Sequence, residues 1–244
     1  MSRWKLTFEY DGMKFFGWQK QPDTRTVEGE AEAAFSKLYQ EPVNLVGQGR
    51  TDAGVHAKKQ VAHADLPDRF SADRLIHAMR GMLPKDVSLL TIEKVHESFH
   101  ARFDAVSRSY SYRVLNRHSP LLRNRVWCCG VQLDMIQLNR MAGAVLESQD
   151  FINFCIPDPA PQSTTNVTIT ESRWSTNEGV FHYHITGNRF LRHMVRRLTG
   201  EMVRVAALRQ SEEGFIEMLK GAKTKRKGHA APAHGLYLEN VRYE

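Results

Sequence analysis

Hydrophobic and polar residues alternate over Lys5-Leu6-Thr7-Phe8-Glu9-Tyr10, and Asp11-Gly12 closes the run. A period of two ending in Asp-Gly predicts a half-buried strand and a turn. After a plausible N-cap at Thr26, Val27, Ala31, Ala34, Phe35 and Leu38 recur at helical spacing, and Pro42 closes the helix. Short β-type runs follow at 43–46 and 60–64. Ser71 then caps a second helix with Leu75, Met79, Met82 and Leu83 on its apolar side and Pro84 beyond it, and residues 87–93 read as another strand. The order β-α-β-β-α-β is the ferredoxin-like arrangement. Residues 99–105 read as a crossing, so the chain divides into domains 1–103 and 104–244.

In the second half, residues 108–115 form a strand with Arg108, Tyr110 and Tyr112 on one face. Two aromatics and a cation on a sheet face suit base stacking, and equally suit ordinary cross-strand packing. Residues 126–131 read as an irregular strand or loop. Asp134 caps a helix with Ile136, Leu138, Met141, Val145 and Leu146 on its apolar side. A proline-rich stretch, 155–165, reads as a loop. Strands at 167–174 and 180–186 flank Asn177-Glu178-Gly179 as a hairpin. A helix follows with a core stripe of Leu191, Met194, Val195, Leu198, Met202 and Val205. Arg189, Arg192, Arg196, Arg197 and Arg204, with His193, crowd its other side, where Glu201 alone is acidic. Like charges at i,i+4 repel, and a phosphate partner would relieve them. A short helix through Phe215, Ile216 and Leu219 leads to a basic loop of Lys220, Lys223, Lys225, Arg226 and Lys227, suited to holding phosphate without reading sequence.

Composition narrows the classes. The 244 residues carry Lys+Arg 34 against Asp+Glu 27, a basic balance that fits a polyanionic partner. No apolar run is long enough for a membrane span, and the N-terminus lacks the apolar core of a signal peptide, so a cytoplasmic protein is expected. Cys128, Cys129 and Cys155 lack metal-type spacing and are expected to be free thiols. His182 and His184 share a strand face, but two ligands do not make a stable metal site, and none is expected.

The chemistry-bearing stretch is Gly47-Gln48-Gly49-Arg50-Thr51-Asp52-Ala53-Gly54-Val55-His56-Ala57, a loop between two strands. If it is extended, Arg50 and Asp52 point to one side, and the cation would hold the carboxylate ionised. A charged carboxylate beside small Ala53 and Gly54 has the access a nucleophile needs. The same residues would also serve as a turn with a surface ion pair. The aromatic run Phe15-Phe16-Gly17-Trp18 shows no clear period, and reads evenly as base-stacking surface or as cover for the sheet edge.

The uninterrupted string Gly-Arg-Thr-Asp-Ala-Gly-Val-His-Ala resembles the signature of the tRNA pseudouridine synthase A family. Gly17-Trp18-Gln19, the Arg108-Ser109-Tyr110-Ser111-Tyr112 strand, Phe190 with Met194-Val195-Arg196, and the closing Ala231-Pro232 with Gly235-Leu236-Tyr237-Leu238 resemble its other motifs, in order. The resemblance implies Asp52 as catalytic nucleophile with Arg50 beside it, Tyr110 against the target base, Arg196 near the Asp, and Leu238 helping to wall the base pocket. Tyr112, Arg192, Lys225 and Lys227 complete the expected RNA contacts. One departure is Thr165, where family members often carry Arg. The resemblance further implies two ferredoxin-like (RRM-like) α/β units, with joined, mainly antiparallel sheets flanked by helices and a central cleft. It implies a homodimer acting on tRNA at about positions 38 to 40, in the anticodon stem-loop, without metal or cofactor.

The physical logic agrees: moving a sugar from nitrogen to carbon of uracil needs no redox partner. Asp52 would attack either the sugar C1′ or the uracil C6, and the target would have to leave the stem to be reached. Two other classes compete. A non-catalytic RNA-binding module would use the same basic surface, but gives no reason for Arg50 and Asp52 to share a glycine-flanked loop. A glycosidic hydrolase would want a second carboxylate as general acid, and the motif holds none.

Overall fold

The computed structural model describes residues 1–160, 164–208, 210–221 and 227–244. Its elements run β1 (Ser2–Tyr10), α1 (Val27–Tyr39), β2 (Val46–Gly47), β3 (His56–Leu66), α2 (Ala72–Met82), β4 (Val87–Lys94), β5 (Ser107–Leu115), β6 (Trp127–Cys128), α3 (Met135–Glu147), β7 (Ile169–Asn177), β8 (Val180–Gly187), α4 (Met194–Ala207), α5 (Glu213–Leu219) and β9 (Leu236–Arg242). This is a mixed α/β chain whose strands pair mainly antiparallel, flanked by helices. It forms two compact units, Met1–Val106 with Tyr237–Glu244, and Ser107–Leu236. The last strand thus groups with the first unit rather than with the residues that precede it, because β9 pairs in parallel with β3 through His56↔Tyr237 and Ala57↔Leu238.

In the first unit β1 lies between β3 and β4, antiparallel to both. The two-residue β2 pairs with β3, which completes the β-α-β-β-α-β order with strand order β4-β1-β3-β2. The alternation along β1 buries Trp4, Leu6, Phe8 and Tyr10. Helix α1 starts where Thr26 accepts from the Gly29 amide and buries Val27, Ala31, Ala34 and Phe35. Helix α2 starts where Ser71 accepts from the Arg74 amide and buries Leu75 and Met79. Both caps satisfy an amide that has no partner within its helix. A β-bulge between Phe8 and Tyr10 shifts the register against β3. Bulges re-aim side chains, and this one falls at Tyr10, whose hydroxyl reaches the Asp52 loop.

In the second unit β5 pairs antiparallel with β8, and β8 with β7. The β7–β8 hairpin turns on Glu178 and Gly179, at φ 50° and 78°, the two positive values that a type I′ turn requires. Helix α3 packs on β7 through Asn139, which accepts from the Trp174 amide at 2.8 Å and donates to its carbonyl at 3.2 Å. Its buried side is Leu138, Met141, Ala142 and Val145. Ile136 and Leu146, expected there, are exposed, because they lie off the i, i+3, i+4, i+7 stripe. Helix α4 begins at Met194, not upstream: His193 stands at φ 65°, and Leu191 belongs to the preceding turn. Strand β7 begins at Ile169, two residues late, because the Val167 amide is taken by the Gln149 carbonyl. Cys128, Cys129 and Cys155 are free thiols. Among the described residues no helix is long and apolar enough to cross a membrane.

Candidate functional site

The loop joining β2 to β3 is a hydrogen-bonded turn. The Val55 amide donates to the Asp52 carbonyl at 3.2 Å, and Gly54, the third residue of that turn, stands at φ 80°. A type II turn needs positive φ there, hence glycine. The turn begins at Asp52, so it leaves the two-residue spacing of Arg50 and Asp52 ahead of it untouched. Asp52 is half-buried, while Arg50 and Ala53 are exposed. The field of Arg50 is felt at Glu28, whose carboxyl is pushed up by burial, with Arg50 acting in the opposite sense.

The turn is braced from several directions. The Trp18 amide donates to the Thr51 carbonyl at 3.2 Å, and the Gly54 amide donates to the Phe15 carbonyl at 3.2 Å. The Thr51 hydroxyl shares a 2.8 Å hydrogen bond with the Tyr10 hydroxyl. Upstream, Gln60 donates to the Gly49 carbonyl at 2.9 Å, and the Gln48 amide donates to the Val61 carbonyl. Downstream, His56 Nδ1 accepts from the Gly12 amide at 3.2 Å, with Asp11 Oδ1 3.1 Å from the same nitrogen, and its ring stacks on Tyr237. Gly17, at φ 93°, lies so close that a Cβ there would fall 2.4 Å from the Thr51 carbonyl oxygen.

These contacts resolve the aromatic run. Phe15 and Trp18 are buried, and Trp18 donates from its indole nitrogen to Glu28 at 3.1 Å. Phe16 alone among them is exposed. The sequence reading missed Tyr10, Gly17, Trp18 and Thr51 as the frame of the turn. The available signal was a glycine set among aromatics in a run of no period, which is what a backbone packed against another loop looks like. Leu238, opposite Ala57 in the ladder, is fully buried, a core position rather than an open pocket wall.

The remaining candidates belong to the second unit. Tyr110 is half-buried, with its ring edge-on to Phe190 at 5.1 Å. Tyr112 is a correction: it is fully buried, its hydroxyl donates to the Pro232 carbonyl at 2.6 Å, and its ring lies against Gly235 and edge-on to Trp127. It anchors the 232–235 segment and offers no stacking face. Its hydroxyl is pushed well above the usual tyrosine range by burial, against the opposing field of Arg196. Arg196 is half-buried and locked both ways to Ala231: Nε donates to that carbonyl at 2.8 Å, and the Ala231 amide donates to the Arg196 carbonyl.

The crowded arginines divide in the structure. Arg204 pairs with buried Glu201 at 2.7 Å, and Arg197 donates to the Cys155 carbonyl at 2.7 Å. Arg192 is exposed, outside the helix. Lys227 is exposed and donates to the Ile152 carbonyl at 3.0 Å. Lys225, with Lys223 and Arg226, lies outside the described residues. Thr165 donates to Asp150 at 2.6 Å, and its carbonyl accepts from the Phe151 amide, so this hydroxyl ties two loops where the resemblance leads one to expect Arg. Among the described residues no group of three or more His, Cys, Asp or Glu side chains could hold a metal ion.

Comparison with known proteins identifies the family. The family described as tRNA pseudouridine synthase matches residues 6–104 and 145–244. Those segments contain the Asp52 turn and its braces, α4 and β9; Tyr110 and Tyr112 fall between them. The chain is 38% identical to tRNA pseudouridine synthase A of Dictyoglomus thermophilum over 247 aligned residues, covering 100% of each chain. It is 39% identical to the protein of that name from Xanthobacter autotrophicus, again over 100% of each, and 39% identical to that from Chlorobaculum tepidum, over 98% of this chain and 97% of that one. On the family match and on full-length identity of this order, the chain belongs to the tRNA pseudouridine synthase family.

Proposed function

We propose that this chain converts uridine to pseudouridine in the anticodon stem-loop of tRNA, at about positions 38 to 40, with Asp52 as nucleophile. The observation that carries the reading is the Asp52 turn. A half-buried carboxylate stands on backbone held by Tyr10, Phe15 and Trp18, with small Ala53 and Gly54 following it in the turn. Preorganisation of that kind serves bond-making better than a loose surface pair does.

The reaction moves C1′ from N1 to C5 of uracil and a proton from C5 to N1, so no electrons are gained or lost. Attack at C1′ would expel uracil as an anion that turns and is recaptured through C5. Addition at C6 would instead make the ring the electrophile. Both routes use the same carboxylate, and both develop charge on the uracil that a fixed guanidinium stabilises. Arg196, whose orientation is set by Ala231, is suited to that role. Tyr110 is the residue proposed to lie against the target base, with Phe190 buttressing its ring. Arg50 would keep the Asp52 carboxylate ionised and oriented, and Arg192, Lys225 and Lys227 would hold phosphates. Leu238 would support the pocket from behind. The homodimer is carried over from the family resemblance, and the cytoplasmic location from the sequence pattern. A non-catalytic RNA-binding role is disfavoured by the family assignment and by a braced carboxylate that such a role does not use.

Incubation with uridine-labelled tRNA tests the reading. Pseudouridine without loss of label is the expected product. Released uracil would point to a hydrolase, and unchanged RNA to a binding module.

A further inference from the structure

We propose that Phe16 is a stacking platform for a nucleobase of the substrate RNA, the one adjoining the target uridine. The proposal rests on the function above and adds a residue to its site. Of the twelve phenylalanines, Phe16 and Phe103 are the exposed ones, at 60% and 74%. Phe103 has neighbours of its own, with the His100 ring at 4.3 Å and the Arg102 guanidinium at 5.7 Å. The ring of Phe16 has no such contact among the described residues.

Its backbone, by contrast, is fully committed. The Phe16 amide donates to the Arg25 carbonyl at 2.9 Å, and its carbonyl accepts from Gln21 Nε2 at 3.2 Å. Arg25 is itself fixed by two hydrogen bonds to Asp86 and one to Glu30, and its guanidinium lies 4.1 Å from the centre of the Phe15 ring. The residues on either side of Phe16 both touch the Asp52 turn. The Phe15 carbonyl accepts from Gly54, and a Cβ on Gly17 would lie 2.4 Å from the Thr51 carbonyl oxygen and 3.3 Å from the Asp52 carbonyl carbon. Neighbouring Cα atoms are about 3.8 Å apart, so Phe16 sits one residue from the nucleophile's own peptide. It is an exposed planar side chain on doubly hydrogen-bonded backbone, on the segment that packs against the reactive turn.

A single exposed apolar side chain needs no explanation by itself. Here the position supplies one. Extruding a uridine strips its neighbour of one stacking partner. An aromatic ring carried on the segment packed against the Asp52 turn can cover that bared face, and stacking of this kind tolerates any base. Phe16 thereby lowers the cost of holding the target out of the stem, while Asp52 does the chemistry.

The test is a binding cycle on the Asp52→Asn chain, so that turnover does not intrude, using an anticodon stem-loop RNA. Each nucleoside next to the target is replaced in turn by an abasic residue. Phe16→Ala and Phe16→Leu should each weaken binding of the intact RNA by about tenfold, within the range of base–aromatic stacking. Phe16→Tyr should bind like Phe16. The tenfold effect should vanish when one of the two neighbours is abasic, which is the signature of direct coupling. Full-strength binding by Phe16→Leu, or an Ala effect that survives both abasic replacements, overturns the proposal. So does a Phe16→Ala change confined to self-association of the chain. Failure of the unsubstituted chain to form pseudouridine would contradict the proposed function instead, and the binding cycle would still read Phe16 separately.

Discussion

Tyr10 and Thr51 share a hydrogen bond of 2.8 Å between two buried hydroxyls, and it joins the bulged end of β1 to the residue before Asp52. Tyr10→Phe removes the partner of a buried hydroxyl, which typically costs about 1–3 kcal/mol. The expected result is a lower melting temperature together with a kcat reduced several-fold and KM for tRNA little changed, because the turn loosens while the RNA contacts remain. Native kcat in a Tyr10→Phe chain of reduced stability would show that the brace serves the fold alone.

Acid should destabilise the first unit through His63. Burial first, and the Arg3 charge second, push this imidazole down to about 4 from an ordinary 6.5. Neutral, it accepts the Ala101 amide at Nδ1, 3.1 Å away. The folded-state value lies below the unfolded one, so the unfolded chain takes up the proton first as pH falls. The stability from keeping His63 neutral is fully present above about 6.5 and is lost toward about 4. His63→Asn keeps an acceptor for the same amide and cannot titrate in this window. Its melting temperature should fall less than that of the native chain between these limits, and parallel curves would assign the acid sensitivity elsewhere.

Salt should weaken RNA binding through exposed Arg192 and Lys227. Each phosphate contact contributes roughly 0.7–0.9 to the slope of log K against log salt. Replacing both by Gln should flatten that slope by about 1.5. An unchanged slope would remove both from the RNA surface.

The hydrophobic periods of β1, α1, α2 and β8 made the elements legible, because each buries one face and shows it in the spacing. The Asp52 loop was legible from chemical type alone. Its geometry was not: the spacing of Arg50 and Asp52 does not reveal that Gly54 turns the chain directly afterwards, between Asp52 and Val55. The brace at Tyr10, Gly17 and Trp18 was hidden for a related reason, since backbone-to-backbone contacts between distant segments leave no period. Tyr112 looked like a twin of Tyr110 because the strand rule says only that two residues share a face, not how deeply each is covered. The basic face of α4 was over-read, because Arg197 and Arg204 find partners at Cys155 and Glu201 that spacing on one helix does not reveal in full.

Turnover by Asp52→Asn is the most direct test of the account. Asn keeps the shape of the side chain and the turn but lacks the anionic oxygens that make the bond. With bulk tRNA as substrate, pseudouridine formation should fall by at least about a thousandfold, as expected for loss of a nucleophile, while the affinity for tRNA stays within a few-fold of native. Conversion at an undiminished rate by a properly folded Asp52→Asn chain would contradict the account.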